Sequence, residues 1–206
     1  MCGLIYVRTP NSAKAHIAVA DQFTEQRTRG EEGFGFISIK QDSIILKKTL
    51  TPPEIFMEMG AIPPPNEILF HHRSPTSTEN TIASAHPLAN TTDFKSNYYL
   101  AHNGIVHNED DLKKEHDGLG ITYSSFSKAL RGEEITFNDS EPLLIELALM
   151  LEGHKKKMDV RGSYAFLLLE TNKNNAPLKL YFGTNSEYFS PLKIKKENDD
   201  IFIASE

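Results

Sequence analysis

The stretch "MCGLIYV" (Met1–Val7) places the only cysteine of a 206-residue chain directly ahead of an apolar run that reads as a β-strand. A lone cysteine is most often a small buried hydrophobe. Position 2 adds a second reading. Methionine aminopeptidase removes Met1 when the next residue is small, and Cys2 would then carry a thiol and a free α-amine on one carbon. A thiol near pKa ~8.5 beside an amine near ~7.7–8.0 is a nucleophile with its own base attached. The rest of the sequence decides between the two readings.

Working outward, "NSAKAHIAVADQFTEQRTRG" (11–30) has a helical pattern, with Asn11 or Ser12 as cap, Ala13, Ile17, Ala20 and Phe23 on one face, and Gly30 as the stop. "GFGFISIK" and "SIILKKTL" form a strand pair around "QD", and "TPPEIFMEMG" is a short helix with prolines in its first turn. "NEILFHHR" and "NYYLAHNG" are strands that each stop in a polar cluster. "NEDDLKKEH" starts a short helix, and "SEPLLIELALMLEG" is a longer one, apolar nearly all round, that must pack on both sides. Two hairpins finish the chain, "GSYAFLLLE" with "PLKLYFG" and "SPLKIKK" with "DIFIAS". Consecutive antiparallel hairpins with helices in separate blocks predict α+β layering of two face-to-face antiparallel sheets covered by helices. No repeat or linker interrupts the pattern, so one domain over 1–206 is expected.

Composition narrows the function. The formal net charge is −6 with no basic block, which argues against nucleic acid or an anionic membrane as partner. One cysteine excludes an internal disulfide, and no signal-peptide core or run of about 18 apolar residues is present, so a soluble cytoplasmic protein is expected. Histidines 71, 72, 102 and 107 lack ligand spacing, and no glycine-rich phosphate loop opens a helix. Neither metal nor other cofactor is expected.

Three polar clusters stand where strands run out. Arg73 lies in "HHRSPTST", Asn103 and Gly104 in "AHNG", and Asp139 in "NDSE" at a helix start. Each has a plain structural reading: a surface ion pair for Arg73, a type I′ turn for Asn103-Gly104, and an N-cap for Asp139. Together they supply what amide hydrolysis of an amino acid needs. Arg offers a planar fork for an α-carboxylate, Asp a partner for an α-ammonium, and Asn with Gly two N–H donors for a developing oxyanion.

The ordered stretches Cys2-Gly3, "RGEEGFG", "HHRSPT", "AHP", "HNGIVHNEDDL", "NDSE", "GSYAF" and "ASE" resemble the class II glutamine amidotransferase domain, the N-terminal-nucleophile hydrolase type of amino-sugar and purine synthesis. The resemblance spans residues 2 to 206. It implies a four-layer αββα sandwich and a glutaminase that needs no cofactor. Cys2 is then the nucleophile, with Met1 removed and its own amine as base. Asn103 and Gly104 form the oxyanion hole. Arg73, assisted by Thr76, holds the glutamine carboxylate, and Asp139 holds the ammonium. His86 lines the pocket, and Arg29 sits with Gly30 beside the nucleophile. Glu32 replaces the usual Asp of this family, Ser74 and Ser77 replace the Trp and His of the amino-sugar branch, and Asn138 replaces a common Ser.

Two other classes compete: a silent module of the same fold that binds glutamine or a protein, and an N-terminal-Cys hydrolase of another amide. Loss of Cys2, Asn103 or Gly104 would favour the first, and all three are present, while the second has no use for both Arg73 and Asp139. The chain stops at "ASE", so a separate synthase or amidating protein is the expected partner that receives the ammonia, the alternative being a domain excised from a longer chain.

Overall fold

The computed structural model describes residues 2–186 and 191–205. Met1, Glu206 of "ASE" and Ser190, the first residue of "SPLKIKK", lie outside the described residues. The elements follow in order β1 (Gly3–Arg8), α1 (Ser12–Glu25), β2 (Phe34–Lys40), β3 (Ser43–Thr49), α2 (Pro52–Ala61), β4 (Glu67–His72), β5 (Leu88–Asn90) and β6 (Asn97–Val106). Then come α3 (Glu109–Gly118), β7 (Ser127–Lys128), β8 (Ile135–Thr136), α4 (Ser140–Leu151), β9 (Gly162–Thr171), β10 (Pro177–Thr184), β11 (Leu192–Glu197) and β12 (Asp200–Ser205).

Two antiparallel sheets form the centre. One has the order β11-β12-β1-β4-β2-β3, the other β10-β9-β6-β5. Side-chain alternation along each strand sorts the core into three layers. Leu4 and Tyr6 of β1 face inward with Ile37, Leu69, Tyr99, Ala101, Leu167 and Ile203, which fill the space between the sheets. Ile5 and Val7 point the other way, onto Ala15, Val19, Ile55 and Met59 of α1 and α2. The outer face of the second sheet packs Leu100 and Leu168 against Leu143, Leu144 and Leu147 of α4 and Leu112 of α3. The result is the αββα sandwich. No helix of the described residues is long and apolar enough to cross a membrane.

Three expectations are corrected. The buried face of α1 is Ala15, Val19 and Phe23, and Ile17 is 61% exposed. Both apolar rows satisfy helical spacing, but the row with i, i+4, i+8 regularity and a small residue at Ala15 makes the closer ridge against Ile5 and Val7. The helix also ends at Glu25, short of Gly30, with a single 3₁₀ turn between them. The strand through "NYYLAHNG" does not stop at Gly104. It runs on to Val106, paired with β9 along its length, so Asn103-Gly104 is ladder and not a turn. A side chain at Gly104 would come within 2.0 Å of the Ser163 carbonyl, and its φ of +146° suits glycine. The pair is therefore held rigidly within a central strand.

Candidate active site

Strand parity brings the site together. Cys2 precedes β1 on the face shared with Leu4 and Tyr6, and Asn103 occupies the inward face of β6 with Tyr99 and Ala101. The two meet across the sheets: the Cys2 nitrogen donates to Asn103 Oδ1 at 3.0 Å. That bond sets the orientation of the amide and leaves Asn103 Nδ2 buried with no hydrogen-bond partner among the described residues. A buried N–H without an acceptor costs about 1–3 kcal/mol, so this donor is held in place at a cost in stability.

Several bonds fix Cys2 and the strand that follows it. Arg29 Nε donates to the Cys2 carbonyl at 3.1 Å, and the Leu4 N–H donates to Ser205 Oγ at 2.9 Å. Gln26 donates to the Ser205 carbonyl, while its side-chain oxygen lies 3.3 Å from His72 Nε2. The His72 ring fills the space where a side chain at residue 3 would go, within 1.7 Å of a Cβ there, so Gly3 is required for this strand to lie so close. The sulfur receives the Ser74 N–H at 3.4 Å. Burial raises the Cys2 pKa, only partly offset by Ser74, the chain's N-terminal charge and Arg73, so the thiol needs a base to lose its proton.

Arg73 is 2% exposed and not a surface ion-pair residue. Nη1 donates to the Glu79 carbonyl at 3.0 Å and to Ser84 Oγ at 3.1 Å. Nη2 donates to the Thr78 carbonyl at 3.0 Å and to Thr78 Oγ1 at 2.7 Å. The guanidinium thus folds the 78–84 segment around itself. Thr76 is exposed, and the threonine hydroxyl on Arg73 belongs to Thr78.

Asp139 precedes α4, yet its carboxylate makes no capping bond. Asn138 takes that part, its Oδ1 accepting the Ser140 N–H at 2.9 Å. This releases Asp139, 4% exposed, to accept the Val106 N–H at 3.0 Å and the Ser77 hydroxyl at 3.1 Å. Burial raises its pKa, opposed by Val106, Ser77 and the charge of Arg73.

The His86 ring lies 4.3 Å from that of His71, and neither of its nitrogens is bonded among the described residues. His71 in turn reaches the His102 carbonyl at 3.1 Å, and His102 pairs with Ser140 Oγ at 2.7 Å. Burial drives the pKa of His71 and His86 well below the usual histidine range and that of His102 to about 3, which keeps all three neutral. Sequence reading missed Ser77, Thr78, Ser84, His72 and Ser205. The only signal was the hydroxyl-rich run "SPTST", which does not say which hydroxyl turns inward.

No family model matches the chain. Curated relatives do. It is 33% identical over 135 residues to the glutamine–fructose-6-phosphate aminotransferase (isomerizing) of Helicobacter pylori, covering 66% of this chain and 20% of that protein. The namesake enzyme of Pyrococcus horikoshii is 26% identical over 216 aligned positions, covering 100% of this chain and 32% of that one. The chain is a homologue of class II glutamine amidotransferase domains. Two solved structures share its fold: the allosteric regulatory enzyme of purine biosynthesis, at TM-score 0.69 and 18% identity over 100% of this chain and 42% of that one, and the Bacillus subtilis glutamine phosphoribosylpyrophosphate amidotransferase, at TM-score 0.63 and 18% identity over 98% and 41%. The chain spans only a fifth to a third of the length of the curated relatives it matches.

Proposed function

We propose that this chain hydrolyses the side-chain amide of L-glutamine through a Cys2 thioester, giving glutamate and ammonia. The reading is carried by the Cys2–Asn103 contact at 3.0 Å together with the unpartnered Asn103 Nδ2. With Met1 removed, the α-amine donates one hydrogen to Asn103 Oδ1 and keeps a lone pair that takes the thiol proton. Sγ attacks the carboxamide carbon, and the oxyanion is met by Asn103 Nδ2 and the Gly104 N–H. The C–N bond breaks as the α-ammonium returns its proton, and ammonia leaves. Water then attacks the thioester, with the same amine as base, and the thiol is regenerated.

Arg73 is assigned to the α-carboxylate and Asp139 to the α-ammonium, with Thr76 and His86 on the pocket wall and Arg29 holding the Cys2 carbonyl. A carboxylate is a stronger partner for a guanidinium than the carbonyls of Thr78 and Glu79, because both groups of the new pair are charged. Substrate would therefore take over those bonds. The acceptor of the ammonia is placed on a separate synthase or amidating protein. The relatives' names carry fructose 6-phosphate, but Ser74 and Ser77 depart from the amino-sugar pattern, which speaks against that acceptor.

Cys2→Ala should abolish ammonia release while calorimetry still detects glutamine binding. Arg73→Ala and Asp139→Ala should mainly raise KM. Ammonia release from glutamine by Cys2→Ala would sink the proposal.

A further inference from the structure

Asn138 joins the two side chains assigned to the two charged groups on the substrate's α-carbon, and it does so with separate atoms. Its Oδ1 accepts the Ser140 N–H at 2.9 Å, which caps α4 at the residue after Asp139. Its Nδ2 donates to the Ser84 carbonyl at 2.9 Å. Ser84 Oγ is one of the four acceptors around Arg73 and also donates to the Glu79 carbonyl at 2.7 Å. The Asn138 backbone N–H is fixed in turn by Ser125 Oγ at 2.9 Å. Ser125 is tied to the Glu141 carboxylate, which also receives the Ser124 N–H at 2.7 Å and the Ser125 N–H at 3.0 Å. Asn138 is 2% exposed, so these bonds do not compete with solvent.

We infer that Asn138 is a positioning residue that sets the separation of Arg73 from Asp139 and thereby the selectivity for substrates that carry both an α-carboxylate and an α-ammonium. The inference rests on the proposed roles of Arg73 and Asp139. Asp139 is carried by the start of α4 and Arg73 by the end of β4. Val106 and Ser77 hold the Asp139 carboxylate, and the Ser77 bond ties it to the near part of the loop after Arg73, while the Asn138 amide ties the α4 start to Ser84, whose hydroxyl sits on the guanidinium. Losing that amide leaves each charge in place locally and loosens the distance between them. A single buried hydrogen bond is lost, so the effect on affinity is about 3- to 10-fold.

The test uses the full chain and two substrates, L-glutamine and 4-carbamoylbutanoate, which keeps the carboxylate and the amide but lacks the α-ammonium. Asn138→Ser retains a hydroxyl able to cap α4 and removes the donor to Ser84. The expected result is a KM for L-glutamine raised about 3- to 10-fold with kcat within twofold of the parent, and a smaller KM ratio between the two substrates. A merely structural role would lower kcat for both substrates alike and leave that ratio unchanged, and such a result overturns the inference. Should the serine variant fold poorly, Ser84→Ala in parallel removes the hydroxyl on Arg73 while keeping the carbonyl that Asn138 holds. It is expected to raise KM for both substrates together, and a change confined to L-glutamine would count against the strap. Unchanged KM in Arg73→Ala and Asp139→Ala would instead remove the roles on which the inference rests, a failure distinct from an unchanged ratio in Asn138→Ser beside raised KM in those two.

Discussion

Replacing Asn103 by alanine tests whether one side chain has been kept costly for the sake of the transition state. Two terms act on stability. The bond from the Cys2 nitrogen to Oδ1 is lost, at about 0.5–1.5 kcal/mol, while the buried and unpartnered Nδ2 disappears, returning about 1–3 kcal/mol. The balance lies between a loss of about 0.5 and a gain of about 2.5 kcal/mol. At about 2–4 °C per kcal/mol for a chain of this size, Tm should fall by no more than about 2 °C and rises if the second term dominates. Catalysis should move the other way. Removing one oxyanion donor lowers kcat by about 10²–10³, with KM little changed because the contact strengthens only as charge develops. Asn103→Asp retains the acceptor for the Cys2 nitrogen and sets a negative oxygen where the donor was, so it should be slower still. Steady-state glutamate release, with thermal unfolding on the same samples, reads both quantities. A kcat within tenfold of the parent, or a loss expressed only in KM, would refute the reasoning. So would a Tm drop beyond about 5 °C, since it would mean that Nδ2 is satisfied in the folded protein.

Intact mass of the active protein should show one methionine missing, because an amide nitrogen at Cys2 cannot accept the thiol proton; full activity from a chain that retains Met1 would rule out the amine as base. Stability should also depend on acid. The folded protein holds His72 at a pKa of about 4 and His102 at about 3, chiefly through burial, with His71 and His86 well below their ordinary value. Their depressed values mean that the unfolded chain binds more protons below about pH 6.5. The stability from keeping these rings neutral is then complete above that pH and drains away as pH falls towards 4. Each ring contributes up to about 1.4 kcal/mol per pH unit in that window. Urea midpoints at pH 7.5, 6 and 5 should decline steeply, and a flat profile would contradict the neutral burial of the cluster.

Much of the architecture was legible because period-2 runs and turn residues recur through the chain, and because "LLIELALML" cannot be exposed on any side. Cys2, Arg73 and Asp139 could be nominated because each has a distinctive chemistry at an element boundary, and Asn103-Gly104 because the pair reads as a strand end, although it lies within β6. What escaped was decided by tertiary contacts. Two apolar rows on α1 fit the helical period equally well, and only the sheet beneath chose Ala15, Val19 and Phe23 over Ile17. Asp139 has the composition of a cap, but its neighbour Asn138 does the capping, and sequence spacing cannot assign one backbone N–H between adjacent Asx residues. The hydroxyls of Ser77 and Thr78 are chosen by how the 78–84 segment wraps Arg73, a long-range event with no local signature.

Cys2 and Asn103 hang from different sheets, and no covalent path shorter than about a hundred residues joins them. Their spacing is therefore a gauge of how one sheet lies upon the other. Leu4, Tyr99, Ala101, Ala165 and Leu167, which fill the layer between, become the shims of that gauge. A methyl added at Ala101 or Ala165 would slide or lift one sheet by a fraction of an ångström before it unfolded anything, and turnover would register the slip first. The interior of this protein is in that sense calibrated as well as packed, and neutral drift within it is narrower than stability alone would impose.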